Sequence, residues 1–313
     1  MDNASDEKQV KTINTLFQNH SKISIILNRE NIGFTRATNQ IITDYLLPKD
    51  FKYIAMINND AFPNQDWLEK LVANAEETNA DMVSSRLINH DIPYLIDNTG
   101  HFMLNTGEVI PEGFGTHINK HTKRRETAGA CAGAALFRMS MIRRIGVFDD
   151  YFVTGYEDAE YGIRALITGH KLMYEPEAIA YHKMSASVNK IRSEEYMVKI
   201  QSSIFYTYLK LMPLPVIILN LPFIIGRTTV LFILFIVFRR FGYLRIYKKA
   251  LKNLVSNDFR KIKQKRKAFY KSQDVKNSFY IMYRQRFFLW DNIRRFFLYF
   301  VKGERTIFEK TNN

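Results

Sequence analysis

The 313 residues contain a single cysteine, Cys131. That scarcity excludes a disulfide framework and a Cys-rich zinc site, and it fits a reducing compartment. Acidic residues are scarce in one part of the chain only. Residues 1–200 hold 22 Lys+Arg against 26 Asp+Glu, whereas residues 201–313 hold 23 against 5. The formal net charge of +14 therefore belongs entirely to the last third, and the two parts are built for different partners. The opening residues MDNASDEKQV have no apolar core, so no signal peptide is read there. Long apolar runs are also few. After Arg227 the uninterrupted piece Thr228–Phe238 has 11 residues, against the roughly 20 of a spanning helix.

Short apolar runs alternate with amphipathic stretches through the first 200 residues, which predicts an α/β domain with a mostly parallel sheet flanked by helices. Ile23–Leu27 reads as a buried strand, Thr35–Tyr45 as a helix, Tyr53–Ile57 as a second strand and Ala80–Ser84 as a third. Asp66 is placed as the N-cap of a helix at Trp67, with Glu69 completing a capping box. Residues 98–125 are poorly periodic and read as a long loop over the site, with His117 and His121 in solvent. Ala128–Phe137 is a small-residue strand whose backbone is closely approached. Met139–Ile145 is a helix ended by Gly146, and Glu157–Thr168 one closed by Gly169. Leu172–Tyr174 and Ala178–Tyr181 are two extended pieces around Pro176.

A boundary is expected near residue 200, dividing a domain at 1–200 from a helical region at 201–313. Residues 212–238 are almost wholly apolar but are interrupted by Pro213, Pro215, Asn220, Pro222 and Arg227. Two short helices in the membrane interface suit those interruptions better than one tilted span, and a buried core hairpin is the alternative. From Arg239 to Lys271 there are 13 basic residues and one acidic residue, Asp258. Interleaved with Phe, Tyr, Leu and Ile, this stretch reads as lying on anionic lipid headgroups, or else as a solvated face. It carries no stacking or groove-reading motif, so nucleic acid is not the expected partner.

Several residues invite chemistry. Asn58-Asn59-Asp60 closes a buried strand, where α/β sheets present their ligands; it is either a plain turn or a carboxylate for a divalent cation beside amides for a ribose. Glu157-Asp158 opens a helix, as ordinary N-terminal charge or as a general base. His182 ends an extended piece, as a structural histidine or a ligand.

Taken in order, these segments resemble family 2 glycosyltransferases. The resemblance rests on Asp2-Asn3-Ala4-Ser5, on Asn28-x-x-Asn31-x-Gly33-Phe34 with Asn39, and on Asn58-Asn59-Asp60 with Asp66-Trp67-Leu68. It continues through Gly133-Ala134-Ala135-Leu136, Gly146-x-Phe148-Asp149-x-x-Phe152, Tyr156-Glu157-Asp158 and Ala180-Tyr181-His182. The subgroup it resembles is that of bacterial rhamnosyltransferase-like enzymes of surface polysaccharide assembly, over residues 1–190.

That resemblance implies a Rossmann-like GT-A fold, an inverting transfer from a dTDP- or UDP-linked sugar, and a divalent metal, Mg²⁺ or Mn²⁺. It implies that Asp2, Asn31, Gly33, Asn39, Asn58, Asn59, Gly133 and Ala134 bind the nucleotide sugar. Asp60 and His182 would hold the metal, Asp158 would be the base, and Glu157 would position substrate. The acceptor would be a membrane-proximal or lipid-linked glycan, and the enzyme would sit at the cytoplasmic face of the plasma membrane. The family also implies a strand and helix ahead of Asp2; the expectation is a misplaced start or an interrupted gene, with a catalytically inactive fragment as the alternative reading. A Gln-x-x-Arg-Trp segment, found in processive relatives, is lacking, which points to addition of a single sugar.

Overall fold

The computed structural model describes residues 1–183 and 193–287; the end of the expected 201–313 region lies outside them. The first elements are β1 (Asp2–Asn3), α1 (Glu7–Phe17), β2 (Leu27–Asn28) and α2 (Phe34–Gln40), the last continued by a wider π-helical turn, Ile41–Leu46. Next come β3 (Tyr53–Ile57), β4 (Ala61–Pro63), α3 (Trp67–Thr78), β5 (Met82–Asn89), β6 (Ile96–Asn98), β7 (His101–Leu104), β8 (Val109–Pro111) and β9 (Arg125–Glu126). The domain continues with β10 (Ala134–Arg138), α4 (Met139–Ile145), α5 (Glu157–Ile167) and β11 (Leu172–His182). The C-terminal part comprises α6 (Glu194–Leu211), α7 (Leu214–Val237), α8 (Phe241–Asn253), α9 (Phe259–Ser272), α10 (Ser278–Tyr283) and β12 (Gln285–Arg286).

The main sheet runs in the order β3-β10-β5-β11-β4, with β6 and β9 added to β5 and β11. Within this sheet, among the described residues, only β5 and β11 pair parallel; β10 lies antiparallel between β3 and β5. The sheet is therefore mixed, which corrects the mostly parallel expectation. The cause is a long excursion after β5, which brings β10 back from the opposite direction. Within it, β7 and β8 form a hairpin that β12 joins, a three-stranded second sheet. The expected loop at 98–125 thus contains a hairpin, with Met103, Leu104 and Val109 buried, and runs without helix or strand from 112 to 124.

Other local expectations fare unevenly. Ile23 and Leu27 are exposed, because β2 pairs only with the two residues of β1 and no layer covers it. Asp66 stands at the N-cap of α3 but makes no side-chain capping bond. The two pieces around Pro176 are one strand, β11, with a register shift between Tyr174 and Ile179. By contrast α4 and α5 stop where glycine allows a left-handed turn, at Gly146 (φ +81°) and Gly169 (φ +87°).

The expected division near residue 200 falls inside α6, and the C-terminal helices share the domain's core. Tyr208, Leu211, Met212, Val216, Phe269 and Ile281 belong to the same apolar cluster as Phe137, Phe148 and Tyr161. Beside it lies a buried ionic network. The Lys210 ammonium donates to Asp149 and to Glu160 Oε1 at 2.7 Å. Arg164 Nη2 donates to the other Glu160 oxygen at 2.9 Å, and Tyr206 Oη donates to Asp149 Oδ2 at 2.8 Å. Burial alone would raise the Asp149 pKa, but Lys210 and its hydrogen bond hold that carboxyl far below the usual carboxylate range. Tyr206 stacks on Tyr151, ring centroids 3.7 Å apart, which closes the network against water.

Removing one partner of a buried ion pair leaves an uncompensated charge, at about 3–5 kcal/mol. Lys210→Met should lower stability by that order in urea unfolding, and adding Asp149→Asn should recover part of it. A midpoint unchanged by Lys210→Met would show that the network contributes nothing.

Candidate active site

Asn58, Asn59 and Asp60 link β3 to β4, the two ends of the main sheet's strand order. The antiparallel pairing of β4 with β11 sets Ala61 opposite His182, which brings the neighbouring Asp60 beside the imidazole. His182 Nε2 lies 3.5 Å from Asp60 Oδ1, and that buried carboxylate oxygen has no hydrogen-bond partner. On its other side His182 Nδ1 meets Asp97 Oδ2 at 2.8 Å. Burial pushes the imidazole pKa down, but the Asp97 hydrogen bond and charge, followed by Asp60, leave it above its ordinary value. Asp97 was not among the sequence candidates. It sits on β6, just ahead of the stretch that reads as loop, and the pairing of β6 with β5 brings it to His182.

Asn58, Asn59 and Asp2 line a cleft of about 570 Å³ together with Asn31, Phe34 and Ala132. The cleft lies between β1 and the outer edge of β3. Asp2 accepts from the Ser5 amide at 3.0 Å, closing the turn after β1. Asn31 Oδ1 accepts from Asn3 Nδ2 and from the Gly33 amide, both at 3.0 Å. The Asn58 amide donates to the Gly133 carbonyl at 2.9 Å, and a Cβ on Gly133 would stand 3.4 Å from Asn58 Nδ2. That is ordinary van der Waals contact, so Gly133 packs against Asn58 without a clash that glycine alone relieves.

Three expected ligands face elsewhere. The Asn39 amide is used at both ends by the Phe148 backbone, at 2.9 and 3.0 Å, so it ties α2 to the turn before Asp149. Ala134 is buried against Leu71 and Trp67, since alternate strand residues point to the far side of the sheet. Gly33 adopts φ +84°, and a Cβ there would fall 2.7 Å from the Val153 side chain; it serves a close approach of two loops.

Glu157 and Asp158 open α5. Tyr156, before them, is held at φ +77°, a conformation that disfavours a side chain. Its hydroxyl accepts from the Val109 amide at 2.9 Å, fixing the turn to the second sheet. Gly162 lets α5 settle backbone to backbone, since a Cβ there would lie 2.5 Å from the Gly129 Cα. Asp158 Oδ2 accepts from the Ala132 amide at 3.3 Å and Oδ1 from its neighbour Ala159 at 2.7 Å. Ala132 lines the cleft, so Asp158 stands one residue behind its wall. Glu157 is buried, and burial, then the Asp158 charge, raise its pKa to about 7. Near Asp158, burial lowers the pKa of His101, and the Asp158 charge opposes that shift.

The donor set fits a hard divalent cation in part. Asp60 and His182 offer an oxygen and a nitrogen at one point. Among the described residues no group of three or more His, Cys, Asp and Glu could hold a metal. The remaining positions would fall to phosphate oxygens and water, as is usual for Mg²⁺.

Residues 1–146, a little under half of the chain, match glycosyl transferase family 2. Glu157, Asp158 and His182 lie beyond the matched segment. No curated protein matches the chain. Among solved structures, GalNAc-T7 with UDP, GalNAc and Mn²⁺ aligns with 67% of this chain at 13% identity and TM-score 0.48; the match spans 43% of that chain. The mannosyltransferase PcManGT from Pyrobaculum calidifontis, in complex with GDP-Man and Mn²⁺, aligns over 82% of this chain and 76% of its own, at 13% identity and TM-score 0.44. S. aureus TarS 1–349 aligns over 67% and 61%, at 11% identity and TM-score 0.39.

Because its folded-state pKa is raised, Glu157 adds stability that is present below the unfolded value of 4.5 and is lost as pH rises through about 7. Glu157→Gln should therefore melt like the parent near pH 4.5 and become more stable than it above pH 7, by about 1–3 kcal/mol. Melting curves with the same offset at both pH values would contradict the burial of this carboxyl.

Proposed function

We propose that the chain is an inverting, metal-dependent glycosyltransferase of GT-A type. It moves a sugar from a dTDP- or UDP-linked donor to a hydroxyl of a membrane-proximal or lipid-linked glycan, in the manner of rhamnosyl- and other hexosyltransferases of surface polysaccharides. The observation that carries this reading is the arrangement around one cleft: the amides of Asn58 and Asn59, the Asp60–His182 pair and, behind Ala132, the Asp158 carboxylate. The match of residues 1–146 to the family supports it.

Asn31, Asn58, Asn59 and Asp2 supply amides and a carboxylate to nucleoside hydroxyls and base. Asp60 and His182 are the residues that would hold the metal, with Asp97 fixing the imidazole so that Nε2 is directed at Asp60. A divalent cation there would supply positive charge against the charge that develops on the diphosphate leaving group. Asp158 takes the proton from the acceptor hydroxyl as its oxygen bonds to the anomeric carbon and the bond to diphosphate breaks on the opposite face. Attack from that side inverts the anomeric centre. The two backbone amides on Asp158 hold the carboxylate oriented, which is what a general base needs. Glu157, protonated up to about pH 7, adds no second negative charge there below that pH.

The C-terminal region supports a place at the inner face of the plasma membrane. Helix α7 runs unbroken for 24 residues through Pro222 and is apolar enough to cross a bilayer. This replaces the expected pair of short helices: Pro215 sits in the first turn, where no amide donor is needed, and Pro222 faces outward.

Asp60→Ala should abolish Mn²⁺-dependent donor binding in calorimetry. Asp158→Asn should leave donor binding within a few-fold and cut transfer by about 10²–10⁴; near-normal turnover would remove Asp158 from its role. Asp97→Asn should weaken Mn²⁺ binding in the presence of nucleotide by about 10–100-fold. Unchanged affinity in a variant with a parental melting curve would make Asp97 a purely structural neighbour.

A further inference from the structure

Helix α7 meets the rest of the protein along its whole length. Val216, Asn220, Ile224, Arg227, Leu231 and Phe235 recur at spacings of three and four and form one inward stripe, buried or half-buried throughout. Asn220 Nδ2 donates to Tyr208 Oη at 3.1 Å and to Gln285 Oε1 at 2.9 Å. Arg227, near mid-helix, is ion-paired with Glu108 in the β7–β8 turn and lies 3.4 Å from Tyr247 Oη. Phe235 stacks on Tyr243 of α8, centroids 5.2 Å apart. The opposite arc carries Leu214, Ile218, Ile225, Ile233 and Ile236, all more than half exposed.

A helix so attached cannot cross a bilayer without taking its partners along. Its 24 residues span about 36 Å, so Arg227 would sit near the bilayer centre. The β7–β8 hairpin holding Glu108 would then lie in hydrocarbon, where irregular backbone is not tolerated at the lipid face. Charge names what covers the exposed arc. Of the 13 basic residues between Arg239 and Lys271, Lys249 is held by Glu194, and Lys265 by Asp149 and Asp150. Lys248, Lys252, Arg260, Lys261, Lys263 and Lys267 project into solvent from α8 and α9, the two helices that follow α7, and exposed basic groups in the same region as an apolar helix face suit anionic headgroups.

We infer that α7 lies in the plane of an anionic bilayer, its Leu214–Ile236 arc sunk in one leaflet and its Asn220–Arg227 stripe pinned to the domain, as a monotopic shelf rather than a span. This rests on the membrane reading above and adds the orientation.

The full chain, in a Cys131→Ser background, would be spin-labelled singly at Leu214, Ile218, Ile225, Ile233 and Ile236. Each labelled protein would be mixed with vesicles of phosphatidylcholine alone or with one-third phosphatidylglycerol, and label depth read from collision with oxygen and with a nickel chelate. The in-plane arrangement gives flotation that needs the anionic lipid, with all five labels at one shallow depth. Replacing both Ile225 and Ile233 by Glu should reduce binding by about tenfold or more. A profile deepest at Ile225 and shallow at Leu214 and Ile236 would overturn the in-plane orientation while keeping the membrane reading. No flotation with either lipid would overturn both, and equal flotation with both lipids would overturn the role of the basic residues.

Discussion

Lys210 is the point on which the two parts of the chain turn. Its ammonium is buried between Asp149, which follows the domain's fourth helix, and Glu160, inside the helix that presents Glu157 and Asp158. Taking three such charges from water is unfavourable unless the geometry satisfies each of them, and here Arg164, Tyr206 and Lys265 fill the remaining positions. The consequence is register. Helix α6 can dock in one way only, and with it the helices that bear the apolar face and the basic surface.

The same constraint reaches the cleft. With Glu160 bonded to Lys210 of α6 and Arg164 to the Ile145 carbonyl, α5 is tied from outside itself, and its first turn holds Asp158 against the Ala132 amide. The close approach of Gly162 to Gly129 seats the helix at backbone distance. The His182–Asp60 pair is fixed separately, by the β4–β11 pairing and by Asp97. The two halves of the proposed chemistry thus stand on different supports, one ionic and one in the sheet. A defect in either should therefore have a distinct signature.

How much of this can be read from sequence follows the range of the interactions. Met139–Ile145 with Gly146, and Glu157–Thr168 with Gly169, are legible because periodicity and a terminal glycine are local signals. Tyr53–Ile57 is legible as a compact apolar run. Strand direction is not local: β10 turns antiparallel because of an excursion that no short window contains. Residues 98–125 look like loop because their sheet partner, Gln285–Arg286, is distant in sequence. Asn39 and Ala134 belong to motifs, yet the one is bonded to the Phe148 backbone and the other faces the core; a motif names positions without saying which way each side chain points. Asp97 lies in no motif and is revealed by strand pairing alone.

The central claim is that the cleft between Asp2 and Asn59 takes a nucleotide-diphosphate sugar through a cation held at Asp60 and His182. The most direct measurement is calorimetric binding of a panel of UDP-, dTDP- and GDP-sugars to the vesicle-bound chain, with Mn²⁺ and with chelator. One donor bound only when Mn²⁺ is present, followed by slow release of its nucleoside diphosphate, is the expected result and would also name the sugar. Absence of binding to every donor under both conditions would contradict the account.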